Sequence, residues 1–107
     1  MNDSSQTNSN MVLTVLEARV ESEKWPTLRR EYGKGTSRLI PQITQTYLVQ
    51  NEKDLSLWRI MTIWKSQAAL EEIRSSGQTP AGVLMFRAAG AEPTLSIYDI
   101  ASAANHN

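Results

Sequence analysis

The sequence predicts an α+β domain, a four-stranded antiparallel sheet with helices on one face. Three observations carry this expectation. Met11–Val20 reads as a strand whose two faces both begin apolar. Leu55–Ile73 changes rhythm in mid-run: Leu55–Trp64 has strand composition, and from Ser66 the residues are helix formers behind a cap. Helical patterns stand between the first and second strands and again between the third and fourth, giving the order β-α-β-β-α-β of ferredoxin-like folds.

In Met11–Val20, Val12, Thr14, Leu16, Ala18 and Val20 share one face, and Leu13, Val15, Glu17 and Arg19 share the other. Both faces begin apolar, which predicts a central strand covered on both sides. Ser22–Leu39 is predicted helical, with Pro26 near the start and Trp25, Leu28, Tyr32, Gly35 and Leu39 on the buried stripe. Gly33 and Gly35 either break this helix or let it approach the sheet or a ligand closely. Pro41 closes the segment. Ile43–Gln50 and Leu55–Trp64 form a hairpin across the polar turn Asn51-Glu52-Lys53-Asp54. Ser66–Arg74 is the next helix, ended by Ser75-Ser76-Gly77. Thr79-Pro80 restarts helix to about Ala89, Gly90–Pro93 breaks it, and Thr94–Ala101 is the last strand. Residues 1–10 read as a disordered leader, 11–101 as the domain, and 102–107 as a flexible tail.

Composition narrows the function. Eleven basic and eleven acidic residues cancel, no basic stripe marks a nucleic-acid or anionic-membrane surface, and Arg29, Arg30 and Arg38 on one predicted helix read as solvated surface. The chain has no cysteine, which removes disulfides, thiolate metal sites and Cys nucleophiles. Its one histidine, His106, is in the tail, so neither a His-based metal site nor a Ser-His-Asp triad is expected. No signal-peptide pattern and no spanning apolar run occur, so a soluble cytoplasmic protein is expected. The second apolar sheet face needs cover, which a second copy of the same sheet would supply.

Strand order, chain length and the junction Trp64-Lys65-Ser66-Gln67-Ala68-Ala69-Leu70 resemble the antibiotic biosynthesis monooxygenase group of dimeric α+β barrels, over roughly Val12 to Ala101. Pro41 matches a proline that the group places before its second strand. The chain departs from the group at Thr62, where Glu is frequent, at Gln42, where Gly is frequent, and at Ile73, where a helix His is frequent. The haem-degrading branch of the fold uses such a His as iron ligand, so the resemblance disfavours haem degradation here. It implies a homodimer and a monooxygenase without metal or cofactor, in which a small aromatic or polyketide-like substrate is deprotonated and itself reduces O2. Such a protein needs a dry apolar pocket, a donor for the developing oxyanion and a proton acceptor.

No catalytic residue is assigned; candidates for the pocket are. Trp58 and Trp64, on one strand face with Thr62 between them, could wall a flat ring or simply pack the core. Arg59, on the opposite face, could bind an anionic oxygen or pair with Glu17 or Asp99. Tyr47 and Tyr98 are strand phenols, donors or core rings. Met85 and Phe86 line the pocket mouth or the core, and Tyr32 is a further lining candidate. Glu17 or Asp99, if buried and unpaired, would serve a lyase or isomerase on the same scaffold. The remaining alternative is a non-catalytic dimer that binds a small apolar or aromatic ligand.

Overall fold

The computed structural model describes residues 10–106. Its strands are β1 (Val12–Arg19), β2 (Ile43–Gln50), β3 (Leu57–Trp64) and β4 (Thr94–Asp99). The helices are α1 (Trp25–Gly35), preceded by a 3₁₀ turn at Ser22–Lys24, α2 (Gln67–Arg74) and α3 (Ala81–Ala88). The strands form one antiparallel sheet in the order β2-β3-β1-β4. The helices cover one face, so the fold is ferredoxin-like α+β, as the element order predicts.

Several boundaries differ from the sequence expectation. The first helix ends at Gly35 rather than Leu39, and Thr36 closes it by donating its hydroxyl to the Tyr32 carbonyl at 2.7 Å. Leu39 therefore leaves the helical stripe and is exposed. The helix passes through Gly33 unbroken. At Gly35 a Cβ would collide with the Met85 methyl group, so this glycine lets α1 lie close against α3. The third strand begins at Leu57, because Asn51 and Asp54 organise a longer turn. Asn51 Oδ1 accepts from the Lys53 and Asp54 amides at 2.8 Å each, and Asp54 Oδ1 accepts from the Ser56 hydroxyl at 2.7 Å. The last helix starts at Ala81 because Pro80 remains extended. It ends in a Schellman motif: Gly90, at φ 77°, donates to the Arg87 carbonyl, and Ala91 donates to that of Phe86, both at 2.9 Å. The last strand stops at Asp99, and residues 101–106 carry no regular structure. The expected leader falls almost wholly on residues 1–9, outside the described residues.

Pairing register sorts the sheet into two faces. Val12, Thr14, Leu16 and Ala18 meet Trp64, Thr62, Ile60 and Trp58 of β3 on the helix side. A bulge between Ile43 and Gln45 brings Thr46 opposite Thr62. The buried core is divided in two. The larger cluster joins Ala18, Val20, Leu28, Trp58, Ile60, Met85, Phe86 and Ala89 beneath α1 and α3. The smaller joins Val12, Trp64 and Leu70 beneath α2. The sheet residues between these clusters are threonines. The opposite face carries Leu13, Val15, Met61, Tyr47 and Tyr98 with no helix over it, and both tyrosines are exposed.

Candidate functional site

A cleft of about 570 Å³ opens between the two core clusters. This lies in the size range of small-molecule sites, which run from about 300 to 1,000 Å³. Its floor is the inner face of β1, β2 and β3. Thr46, Thr62 and Thr14 run across it in one row, flanked by Leu16 and Ile60 on one side and Trp64 on the other. Tyr32, Gly35 and Met85 form one wall, and Leu70 and Ile73 the other. Gly82 brings α3 down onto the floor: a Cβ there would stand 2.6 Å from Leu16 Cδ1. The mouth is formed by the chain after α1, at Arg38, Leu39 and Ile40, and by the chain between α2 and α3.

The hydrogen bonding of this floor is specific. Trp64 Nε1 donates to Thr14 Oγ1 at 2.9 Å inside the buried layer. Thr14 thus uses its oxygen as acceptor, and its own O–H has no acceptor among the described residues. That hydrogen can reach a ligand in the cleft. Thr46 and Thr62 lie 3.3 Å apart through their hydroxyl oxygens, so one proton is shared between them and the other is free to donate. A strand interior facing helices is an apolar environment, where valine would pack as well without a hydroxyl to satisfy. The row therefore supplies two hydroxyl donors at the bottom of an apolar cleft, one of them held in place by an indole.

Carboxylates are scarce here. Glu92 is the one that lines the cleft among the described residues, and Arg87 binds it twice, through Nε at 2.9 Å and Nη2 at 2.9 Å. The Arg87 hydrogen bonds hold the Glu92 carboxyl below its ordinary range, and the pairing raises Arg87 in turn. Glu92 is thus a fixed anion and not a base poised near neutrality. Among the described residues no cluster of three or more His, Cys, Asp or Glu could hold a metal ion. No described helix is long and apolar enough to cross a membrane.

The structure separates the residues named from sequence into three groups. Trp64, Thr62, Tyr32 and Met85 line the cleft together. Trp58 and Phe86 are sealed in the larger core cluster, at 2% and 0% exposure, away from the cleft. Trp58 packs against Trp25 with ring centroids 5.9 Å apart, and the Arg29 guanidinium lies 5.2 Å from its ring centre. Arg59, Tyr47 and Tyr98 lie on the opposite sheet face. Arg59 Nε donates to Glu17 Oε1 at 2.6 Å, so both are held in a cross-strand pair. Asp99 stands at the end of β4, outside the cleft lining. Neither strand carboxylate is therefore an unpaired base in the cleft.

Sequence reading passed over Thr14, Thr46 and Ile40 as site residues, and it placed Arg38 on a solvated helix surface and Leu39 on a buried helical stripe, whereas all five line the cleft. The signal for the threonines was present: Thr46, Thr62 and Thr14 share a row once the hairpin and the β1–β3 register are set. The loop residues had no such signal, because their place depends on where α1 stops.

No family model matches the chain, and no curated protein matches it. Its fold has many solved counterparts. A proposed antibiotic biosynthesis monooxygenase from Caulobacter crescentus is similar with a TM-score of 0.66 at 14% identity, over 92% of this chain and 96% of that one. A haem-degrading protein from Mycobacterium tuberculosis gives a TM-score of 0.67 at 16% identity, over 92% of this chain and 100% of that one. A cofactor-independent oxygenase from Streptomyces nogalater gives 0.61 at 12% identity, over 87% and 95%. At these identities the likeness is one of fold.

Proposed function

We propose that this chain, which has the fold of the antibiotic biosynthesis monooxygenases, is a cofactor-independent monooxygenase of a small, flat aromatic substrate. The observation that carries the reading is the threonine row at the bottom of the cleft, with Trp64 donating to Thr14. An acidic phenol or anthrone bound there ionises at a ring oxygen, and the hydroxyl donors of Thr14 and of the Thr46–Thr62 pair stabilise the oxyanion. The cleft has no carboxylate base, so the substrate loses its proton to water before or on entry. The carbanion form reduces O2 by one electron, and the resulting radical pair combines into a hydroperoxide. Loss of water leaves the ketone: a CH2 carbon and O2 become C=O and H2O, which balances without a cofactor.

The haem-degrading alternative among the fold's members finds no support in this cleft. Ile73 and Leu70 occupy the α2 side of the lining, and no histidine faces it among the described residues. A second copy of the chain is proposed to cover the open sheet face, packing on Leu13, Val15 and Met61. A binder without turnover is the second reading, favoured by the missing base.

Oxygen uptake with 1,8-dihydroxyanthrone in the presence of chelator separates the two. Turnover that persists under chelation and falls about 100-fold or more in Thr14→Val is the expected result, since one oxyanion donor contributes on the order of 100-fold or more. Saturable binding of the anthrone with no uptake above the spontaneous rate would leave the binder.

A further inference from the structure

We infer that the cleft selects substrates carrying a carboxylate, and that Arg38 is the residue that reads it. The inference rests on the cleft being the ligand site but not on the oxygen chemistry. The chain as a whole is neutral, with eleven residues of each sign. The cleft is not. Three arginines line it, Arg38, Arg74 and Arg87, against a single carboxylate, Glu92. Arg87 and Glu92 neutralise each other through their paired bonds. Arg74 gives one N–H to Glu71 at 3.2 Å, a residue outside the cleft lining, and keeps its other donors. Arg38 makes no ion pair or side-chain hydrogen bond among the described residues, although its guanidinium carries five donors.

The surroundings of Arg38 make this charge useful. The residue sits two positions after Thr36, whose hydroxyl is anchored on the Tyr32 carbonyl, so the segment leaves α1 in a defined direction. Leu39 and Ile40 follow, each 40% exposed and each lining the same mouth. An apolar shelf beside an uncommitted guanidinium fits an amphiphilic anion: the ring lies on Leu39 and Ile40, and the carboxylate meets the planar fork of Arg38. Apolar walls lower the local dielectric and strengthen the attraction relative to open water. Arg74, on the other bank, adds to the same field. A ring system held by its carboxylate at Arg38 shares the cleft with the threonine floor.

The test compares 2-naphthoate with 2-naphthamide, which share a ring and differ in charge. Affinities are measured by titration calorimetry on the full chain at low salt and at 0.5 M NaCl, for wild type, Arg38→Ala and Arg38→Lys. The inference expects the acid to bind about two- to fivefold more tightly than the amide, the range of one exposed ion pair. That preference should vanish in Arg38→Ala, persist in part in Arg38→Lys, and shrink at high salt. Amide affinity should stay unchanged throughout, which shows that the variants fold. Equal binding of acid and amide by wild type overturns the carboxylate inference and leaves the aromatic cleft intact. A preference that survives Arg38→Ala overturns the assignment to Arg38. Binding of neither compound overturns the inference together with the cleft reading. Oxygen uptake plays no part in the readout, so failure of the oxygenase reading cannot be mistaken for failure here.

Discussion

Trp64 shows how one side chain can hold a fold and prepare a site together. Its ring fills the smaller core cluster with Val12 and Leu70, and its N–H is spent on Thr14 rather than on a ligand. This engaged N–H orients a neighbouring hydroxyl, so Trp64 acts as a positioning residue in the proposed chemistry. Trp64→Phe keeps most of the apolar volume but strips the donor and leaves the Thr14 oxygen without its partner. A loss of about 1–3 kcal/mol in urea denaturation is expected, from the lost hydrogen bond and incomplete repacking. Anthrone turnover should fall along with it, while Trp58→Phe, altered in the other cluster, should lower stability and leave turnover per folded molecule unchanged. The two tryptophans look equivalent in the sequence, six residues apart on one strand face. Only the helices above them decide that one seals a core and the other borders a cleft.

At the scale of elements, the Trp64–Leu70 junction is set by local chemistry. Ser66 is extended, at φ −165° and ψ 168°, and its hydroxyl accepts from the Ala69 amide at 3.0 Å. Ser66→Ala should cost about 1 kcal/mol in thermal or chemical unfolding and loosen the α2 wall of the cleft. Ser66→Asp, which restores an acceptor at the same place, should recover most of that. The hairpin turn offers a pH-dependent counterpart. The Ser56 hydrogen bond, helped by Arg19 at 2.9 Å, holds the Asp54 carboxyl below its ordinary value. A folded-state pKa depressed in this way means that the unfolded chain binds the proton more readily. The stabilisation is therefore complete above the ordinary Asp range and is lost as pH falls through the folded value. Thermal melts from pH 6 down to pH 3 should show a shallower acid decline for Asp54→Asn than for wild type, and Glu92→Gln should behave likewise for the Arg87 pair.

The whole molecule presents two faces of different character. The helix side holds both core clusters and the cleft. The other side carries Leu13, Val15 and Met61 beside the Glu17–Arg59 pair and the exposed Tyr47 and Tyr98, an apolar surface with charges at one end. A second copy covering it would give a particle of twice the 12.0 kDa chain mass in sedimentation equilibrium. Val15→Lys, in the middle of that face, should shift the particle to a monomer, and Leu84→Lys on the exposed side of α3 should not. A wild-type monomer at tens of micromolar would remove the dimer.

Much of this architecture was legible in the sequence. The two-faced apolar run of β1, the strand composition of β3, the strand-to-helix switch at Ser66 and the polar turn at Asn51–Asp54 are local or near-local signals, and each leads to the observed element. The order β-α-β-β-α-β then leaves little freedom in how the strands pair, because the hairpin and the two crossovers constrain them. The lack of cysteine also rules out thiolate chemistry from the sequence alone. What only the tertiary structure decided is which polar groups meet. The Thr46–Thr62–Thr14 row requires a bulge in β2 and the β1–β3 register, the Thr14–Trp64 bond joins residues fifty positions apart, and Arg38, Leu39 and Ile40 line the cleft in the chain that follows the end of α1 at Gly35. Local propensity depends on neighbours along the chain, and so the elements can be read from it. A site depends on distances between elements, and these are set by packing: glycines at 35 and 82 bring helices close, and the gap between two core clusters stays open.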